Sequence, residues 1–258
     1  MIANYHTHTY RCHHASGEER EYIERAIEAG LKILGFSDHT AYPFPGDYCS
    51  SFRMRPEKLD DYFQTLTDLK REYASQIEIH IGVEAEYYPA YFGKLQELLR
   101  QYPLEYMLLG QHFLGNEIGD PYSGQKTWSV KRLRAYCDQV IEAMELGCFT
   151  YVAHPDLFCF QGEKSVYRAE MRRICQASNR LGIPLEVNFL GFQEGRNYPA
   201  KKFWELAGEE HCAVILGCDA HAPEDVWRPD TLETIRKRYL APFSLSPIET
   251  CRLRNPFL

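Results

Sequence analysis

Residues 77–87, which read IEIHIGVEAEY, carry the pattern that decides the fold. Apolar side chains at alternate positions are typical of a β-strand with one buried face; here they are Ile77, Ile79, Ile81 and Val83. The strand pattern ends in two carboxylates, Glu84 and Glu86, and a helical pattern follows over 91–102. The unit to look for along the chain is therefore a buried strand that ends in polar groups and leads into a helix.

The same unit recurs along the rest of the chain. Strand patterns occupy 2–6, 31–39, 77–87, 105–114, 149–156, 183–191 and 213–221, and each is followed by a helical pattern. Strand–helix alternation predicts an α/β fold with a parallel sheet and outer helices, either open or closed as a barrel. No Gly-rich phosphate loop follows the first strand, which counts against a nucleotide-binding open sheet.

Composition narrows the class of protein. The 258 residues are 45% hydrophobic and 25% charged, the balance of an ordinary globular protein, and the length suits one large domain or two small ones. Because no linker rich in Pro, Gly or Ser divides the chain, we predict a single domain over 1–258. A formal net charge of −7 disfavours nucleic acid or an anionic membrane surface as partner. The N-terminus lacks a leader pattern, no apolar stretch is long enough to span a membrane, and nine cysteines without CxxC spacing predict reduced thiols. We therefore expect a cytoplasmic protein.

Polar side chains of three types collect where the predicted strands end. Six of the seven strands deliver them: His6 and His8, Asp38 and His39, Glu84 and Glu86, His112, His154, and Asp219 and His221. The sixth strand offers Asn188. Because the carboxyl ends of parallel strands share one face, these side chains are expected to meet there.

The spacing and chemistry of these residues predict a metal centre. His6-x-His8 and Asp219-x-His221 each aim two side chains the same way, because side chains alternate along a strand. Imidazole and carboxylate suit zinc, iron and manganese. Clustered without a cation, such groups would be costly to bury. An affinity tag does not explain the early histidines, which are interrupted and lead directly into an amphipathic helix.

Seven short motifs follow one another along the chain: HTHT at 6–9, CHHA at 12–15, SDH at 37–39, GVEAE at 82–86, GQHF at 110–113, AHPD at 153–156 and GCDAH at 217–221. In this order they resemble the motifs of the polymerase-and-histidinol-phosphatase (PHP) family of metal-dependent phosphoesterases, and they most resemble its monofunctional histidinol-phosphatase branch. The resemblance implies a distorted seven-stranded (β/α) barrel related to the TIM barrel, with its metals at the carboxyl ends of the strands.

The resemblance also implies which residues bind two to three divalent ions. The first ion would be bound by His6, His8, Glu84 and Asp219. Glu84 would bridge to a second, completed by His112 and His154. A third would be bound by His14, His39 and His221, and His13 is left out because the family keeps a histidine at the offset of His14.

The reaction implied is hydrolysis of a small phosphate ester, with L-histidinol phosphate as the best single substrate. A hydroxide bridging two metals would attack phosphorus, with Glu84, Asp219 and His221 as the catalytic residues. Guanidinium matches phosphate geometry, and Arg53, Arg55 and Arg196 are the predicted substrate-binding residues. The loop HPDLFCFQGEK at 154–164 departs from the branch, because it lacks the basic residue expected early in it.

Other functions remain open at this level. Another small phosphate ester or a nucleotide would use the same ligands. An amidohydrolase-like metal hydrolase also begins with His-x-His, but often uses a bridging carboxylated lysine, and no lysine ends a strand here. A non-catalytic binding protein on the same barrel is disfavoured by the complete ligand set.

Overall fold

The computed structural model describes residues 1–46 and 48–257, and its centre is a sheet of seven parallel strands. Every strand pairs with the next one along the chain, in the order β1 to β7. The strands are β1 (Ala3–Asn4), β2 (Ile33–Phe36), β3 (Glu78–Ala85), β4 (Tyr106–Leu109), β5 (Tyr151–Val152), β6 (Leu185–Asn188) and β7 (Val214–Gly217). The predicted parallel α/β sheet is confirmed.

The first and last strands meet just beyond their carboxyl ends, which nearly closes the sheet into a barrel. A parallel bridge joins Thr7 to Ala220. The amide of His8 donates to the carbonyl of Ala220 at 2.9 Å, and the Ala220 amide donates to the His6 carbonyl at 3.2 Å. The alternative of an open doubly wound sheet is thereby excluded, and the predicted seven-stranded barrel is confirmed.

Helices follow the strands and cover the outside of the barrel. They are α1 (Glu19–Glu28), α2 (Leu59–Glu72), α3 (Phe92–Leu99), α4 (Val130–Glu145), α5 (Lys164–Leu181), α6 (Phe189–Gln193), α7 (Lys201–Glu209) and α8 (Pro229–Ile235). Local sequence sets their ends: the Ser129 hydroxyl accepts from the Arg132 amide at the start of α4, and Gly182 ends α5 in the left-handed conformation.

Two apolar clusters stabilise the barrel. The larger lies between the sheet and the helices. The smaller fills the barrel at its amino end with residues that include Tyr5, Tyr106 and Tyr151, and the C-terminal segment covers it with Ile248, Cys251 and Leu253. Because apolar side chains fill the amino end, the polar groups of the barrel interior are confined to the carboxyl end.

Two further predictions concern the whole chain. Within the described residues the nine cysteines are free, and eight of them are buried or half-buried. No helix of the described residues is both long and apolar enough to cross a membrane. The extent of the domain, 1–258, stays a prediction.

Candidate metal centre and active site

The predicted metal ligands lie together at the carboxyl end of the barrel, although several strands are shorter than the sequence pattern suggested. β1 ends at Asn4, β4 at Leu109 and β5 at Val152, so His6, His112 and His154 lie in the loops that follow them. The loops leave the barrel at the same face, and the histidines therefore still reach a common centre. We call the nine predicted ligands the metal-ligand cluster.

Ligand atoms of this cluster form overlapping groups in which all atoms lie within 4.8 Å of one another. The groups are His6, His8 and Asp219; His6, Glu84 and His154; His8, His39 and Glu84; and His14, His39 and His221. A further group joins His8 and His221 to Cys12. His112 completes the cluster, with its Nε2 3.8 Å from Oε1 of Glu84. The structure thus brings all nine residues to one place.

Glu84 lies at the middle of the cluster. Its Oε1 is 2.9 Å from Nε2 of His154, and its Oε2 is 2.9 Å from Nδ1 of His39. The side chain fits because residue 110 is glycine, whose missing Cβ would overlap the Glu84 carboxylate. A carboxylate with different imidazoles on its two oxygens has the arrangement needed to bridge two cations.

Unpartnered buried atoms in the cluster fit a bound cation. His6 Nε2, His8 Nε2, His39 Nδ1 and Glu84 Oε2 are buried and make no hydrogen bond of acceptable geometry. Leaving such atoms unsatisfied is costly, and a divalent metal that accepts their lone pairs would offset that cost. Nitrogen and oxygen donors in this number match zinc, manganese or iron.

Three carboxylates outside the cluster orient its imidazoles, and we call them the outer carboxylates. Glu186 Oε1 lies 2.7 Å from Nδ1 of His6, Asp38 Oδ1 lies 3.2 Å from Nδ1 of His8, and Glu86 Oε1 lies 2.8 Å from Nδ1 of His112. Each carboxylate accepts from Nδ1–H and leaves Nε2 free for metal, a relationship common around metal-binding histidines.

Glu186 is the residue that the sequence analysis missed. It is fully buried in β6, and its second oxygen accepts from the His154 amide at 3.0 Å and from the Asn188 side chain at 2.9 Å. The available signal was a single carboxylate at the same strand parity as Asn188. Gly217 leaves the room, since a Cβ there would overlap the Glu186 carboxylate.

Charge divides the histidines of the cluster into two sets. Burial by itself lowers the pKa of His6, His8 and His112, but neighbouring carboxylates outweigh burial and the pKa values are raised. In the other set, burial and neighbouring histidines lower the pKa of His39 and His14, and lower that of His221 to about 3. The second set is therefore neutral near pH 7, the form in which imidazole binds metal.

Two candidate ligands have an uncommon backbone conformation. His154 has φ of 29° and Asp219 has φ of 51°, in the region where L side chains are unfavourable. Residues held there tend to lie at functional sites, because packing must over-determine them. The barrel thus accepts local strain to aim these two side chains inward.

A cavity of about 480 Å³ opens onto the outer side of the cluster. His14, His39 and His112 form its floor, and Phe52, Phe113 and Tyr122 form what we call the aromatic wall. Phe52 stacks on Phe113 with ring centroids 5.8 Å apart. The volume suits a small organic molecule.

The three predicted substrate-binding arginines are placed differently. Arg196 lines the cavity, and among its described lining residues it is the one with a guanidinium. Arg53 is 2% exposed and paired with Glu86 and Glu117 beneath the surface, and Arg55 is exposed on the loop before α2. His13, which the analysis left out, is exposed and belongs to none of the ligand groups.

Fold and site together define a (β/α)7 barrel with a cluster of candidate metal ligands at the carboxyl ends of its strands. The family model described as PHP domain matches residues 4–189, and the chain belongs to this family. The resemblance inferred from the motifs is thereby confirmed.

The matches to relatives with curated names extend over most of this chain and most of each relative. A Deinococcus radiodurans protein named probable histidinol-phosphatase is 29% identical over 234 residues, which is 87% of this chain and 88% of the relative. A Bacillus subtilis protein named histidinol-phosphatase is 29% identical over 253 residues, covering 86% and 94%.

Solved structures show the same fold. A histidinol phosphate phosphatase from Lactococcus lactis, in complex with zinc, L-histidinol and phosphate, has a TM-score of 0.72 at 18% identity, and the match covers 99% of this chain and 97% of that one. A Listeria monocytogenes protein described as a histidinol phosphatase has a TM-score of 0.73 at 23% identity, covering 89% and 99%.

Proposed function

We propose that this protein is a metal-dependent phosphomonoesterase that hydrolyses L-histidinol phosphate to L-histidinol and phosphate. The observation that carries the proposal is the contact between the metal-ligand cluster and a small cavity that contains one guanidinium, that of Arg196. The names of the relatives, and the L-histidinol and phosphate bound in the Lactococcus lactis structure, support this substrate.

Two to three divalent ions fit the cluster. His6, His8, Glu84 and Asp219 would hold the first, Glu84, His112 and His154 the second, and His14, His39 and His221 the third. Zinc, manganese and iron suit these donors, and zinc is present in the Lactococcus lactis structure. When bound, the metals would polarise the phosphate ester and lower the pKa of water.

Arg196 is well placed to orient the phosphate. Its Nε donates to Glu194 at 2.6 Å and its Nη1 donates to the Tyr198 hydroxyl at 2.9 Å, so the guanidinium is held in one orientation. Donors left over can bind phosphate oxygens in charge-assisted hydrogen bonds. The aromatic wall keeps water from the rest of the substrate and suits a flat ring such as imidazole.

Protonation of the leaving alkoxide falls to water in this proposal. Nδ1 of His221 donates to the carbonyl of Asp219 at 2.9 Å, and its Nε2 faces the metal-ligand cluster, so neither ring nitrogen is free to protonate the leaving group. Its Nε2 lies 3.0 Å from Nε2 of His14, as expected of two ligands aimed at one cation. We therefore assign His221 to metal binding.

One feature favours a second candidate, a different small phosphate ester. The loop after His154 places Phe158 and Phe160 in the core, and Lys164 is exposed at the start of α5. Arg196 thus has no cationic partner from this loop at the cavity, among the described residues. A phosphate ester whose phosphate needs fewer cationic partners than that of L-histidinol phosphate would use the same metal-ligand cluster.

The net charge of −7 supports a small substrate over nucleic acid. A cytoplasmic location stays a prediction.

Phosphate release from a panel of esters tests the proposal. Metal-depleted protein is reloaded with zinc, manganese or iron(II) and given L-histidinol phosphate, an aryl phosphate and mononucleotides. We expect the highest kcat/KM with L-histidinol phosphate. A preference for another ester would select the second candidate. No release from any ester with any of the metals would contradict both.

A further inference from the structure

Arg53 is buried where three segments of the metal centre meet. Its Nη1 donates to the carbonyl of Thr40 at 3.1 Å, its Nη2 donates to Oε2 of Glu86 at 3.1 Å, and its Nε donates to Oε2 of Glu117 at 2.7 Å. The side chain is 2% exposed and does not line the cavity. Each of the three guanidinium nitrogens therefore donates to an acceptor inside the protein.

Each of the three contacts adjoins a candidate metal ligand. Thr40 follows His39 directly, and Glu86 is two residues beyond Glu84. Glu117 belongs to the loop that follows His112. One buried cation thus joins the segments that carry three members of the metal-ligand cluster, from the ends of β2, β3 and β4.

The first branch of these contacts reaches His112. Glu86 uses Oε2 for Arg53 and Oε1 for Nδ1 of His112, at 2.8 Å, so both of its oxygens have partners. A carboxylate held at both ends fixes the orientation of the imidazole and keeps the ring nitrogen Nε2 on the side of Glu84. Arg53 thus orients Glu86, and Glu86 orients the His112 imidazole for metal binding in the metal-free protein.

The second branch reaches the aromatic wall. Arg53 lies 4.6 Å from the ring centroid of Phe52, and Phe52 in turn stacks on Phe113. The pairing of Arg53 with Glu117 fastens the loop that carries Phe52 to the loop after His112. The same guanidinium thereby fixes one side of the cavity in which the substrate would lie.

We propose that Arg53 is a positioning residue with two separable branches, one through Glu86 that orients His112 for metal and one through Glu117 that fixes the aromatic wall. The metal branch stands on the geometry of the cluster alone. The wall branch rests on the proposed function, because its effect is on the binding of a phosphate ester.

Three glutamine substitutions separate the branches. Glu86→Gln and Glu117→Gln keep side-chain shape and remove one charge from each branch. Glu105→Gln is the matched control: Glu105 accepts from Lys70 Nζ at 2.6 Å and lies 3.4 Å from Nδ1 of His80, so it repeats the cation–carboxylate–imidazole chain away from the cluster. Arg53→Lys is added to test whether the forked guanidinium is needed.

Zinc affinity, measured by competition with a chelator, reads the metal branch without substrate. We expect Glu86→Gln to weaken one zinc site by about 10- to 100-fold, the usual effect of losing an outer partner of a histidine ligand. Arg53→Lys should weaken the same site, whereas Glu117→Gln and Glu105→Gln should bind zinc like the wild type. Equal zinc affinity in Glu86→Gln and Glu105→Gln would overturn the metal branch.

Steady-state kinetics on zinc-saturated protein read the wall branch. Glu117→Gln should raise KM for the hydrolysed ester by on the order of 10-fold with little change in kcat, since a shifted wall misplaces the substrate. Wild-type KM in Glu117→Gln would overturn this branch.

If Arg53→Lys instead weakened inhibition by inorganic phosphate and left zinc affinity unchanged, Arg53 would be a phosphate ligand. If no ester were hydrolysed, the proposed function and the wall branch would both fail, and the zinc affinities would still decide the metal branch.

Discussion

Nδ1 of His6 lies 2.7 Å from Oε1 of Glu186, and both side chains are fully buried. The carboxylate accepts the only proton of a neutral His6 ring, which leaves Nε2 to face Glu84 and Asp219 at 3.6 and 3.4 Å. A partner from β6 therefore determines how His6, which follows β1, would approach a metal.

Replacing Glu186 with glutamine should weaken metal binding. An amide can orient toward His6 but lacks the charge that makes the imidazole a better donor, so we expect zinc affinity about 10- to 100-fold lower. Competition with a chelator measures it. Glu170→Gln is the control, because Glu170 on α5 pairs with Arg134 of α4 and Arg173 of α5, on the outside of the barrel and away from the metal-ligand cluster. Unchanged zinc affinity in Glu186→Gln would show that the pair is structural only.

Glu84→Gln should abolish most of the phosphatase activity and the binding of one metal ion. A neutral amide cannot neutralise two cations, and the loss should exceed the roughly 100-fold that outer partners cost. Metal content after dialysis and phosphate release are measured on the same sample. A variant with the metal content and kcat of the wild type would remove Glu84 from the bridging position.

Arg196→Met should lower kcat/KM by about 10- to 100-fold, because a hydrogen bond to a charged group contributes about 1.5–3 kcal/mol. Inhibition by inorganic phosphate should weaken in parallel, with zinc affinity unchanged. Arg55→Met is the control, since Arg55 is exposed and does not line the cavity. Loss of phosphate inhibition in Arg55→Met and not in Arg196→Met would reverse the assignment.

Zinc binding should release protons. Neighbouring carboxylates outweigh burial and raise the pKa of His6 and His8 well above the ordinary value, so both are protonated in the metal-free protein near pH 7. A metal must displace those protons, and zinc affinity should therefore rise between pH 6 and 8. Calorimetry in buffers of different ionisation enthalpy measures the protons released. A heat of binding that does not depend on the buffer would contradict this prediction.

Asp156 should make stability fall with rising pH. Burial raises the pKa of its carboxyl to about 7, while the unfolded chain titrates near 3.8. Because the folded-state pKa is the higher one, the stabilising contribution is complete below about pH 4 and is lost as pH rises through 7. In the wild type this loss should lower the free energy of unfolding by up to about 1.4 kcal/mol per pH unit. Asp156→Asn should remove this dependence on pH. The free energy of unfolding of the two proteins is measured with urea at pH 5 and pH 8. An equal change between the two pH values in both proteins would refute the raised pKa of Asp156.

Local sequence patterns were sufficient to predict the order of the strands and the nine candidate metal ligands. The alternation at Ile77–Val83 and the glutamate that follows it depend only on chain geometry, which places polar groups at strand ends on one face. Glu186 was missed because one carboxylate inside an apolar strand, even at the same parity as Asn188, does not by itself indicate a site. Its meaning depends on His6, which lies 180 residues away along the chain.

The sequence by itself determined a parallel α/β protein with the motifs of the PHP family and nine candidate metal ligands in order along the chain. Only the tertiary structure decided that the sheet closes through Thr7 and Ala220, and that Arg196 rather than Arg53 faces the cavity. The physical reason is that strand period and residue type are local properties of the chain. Closure of a barrel, and the pairing of a buried guanidinium with Glu86 and Glu117, depend on which distant segments packing brings together.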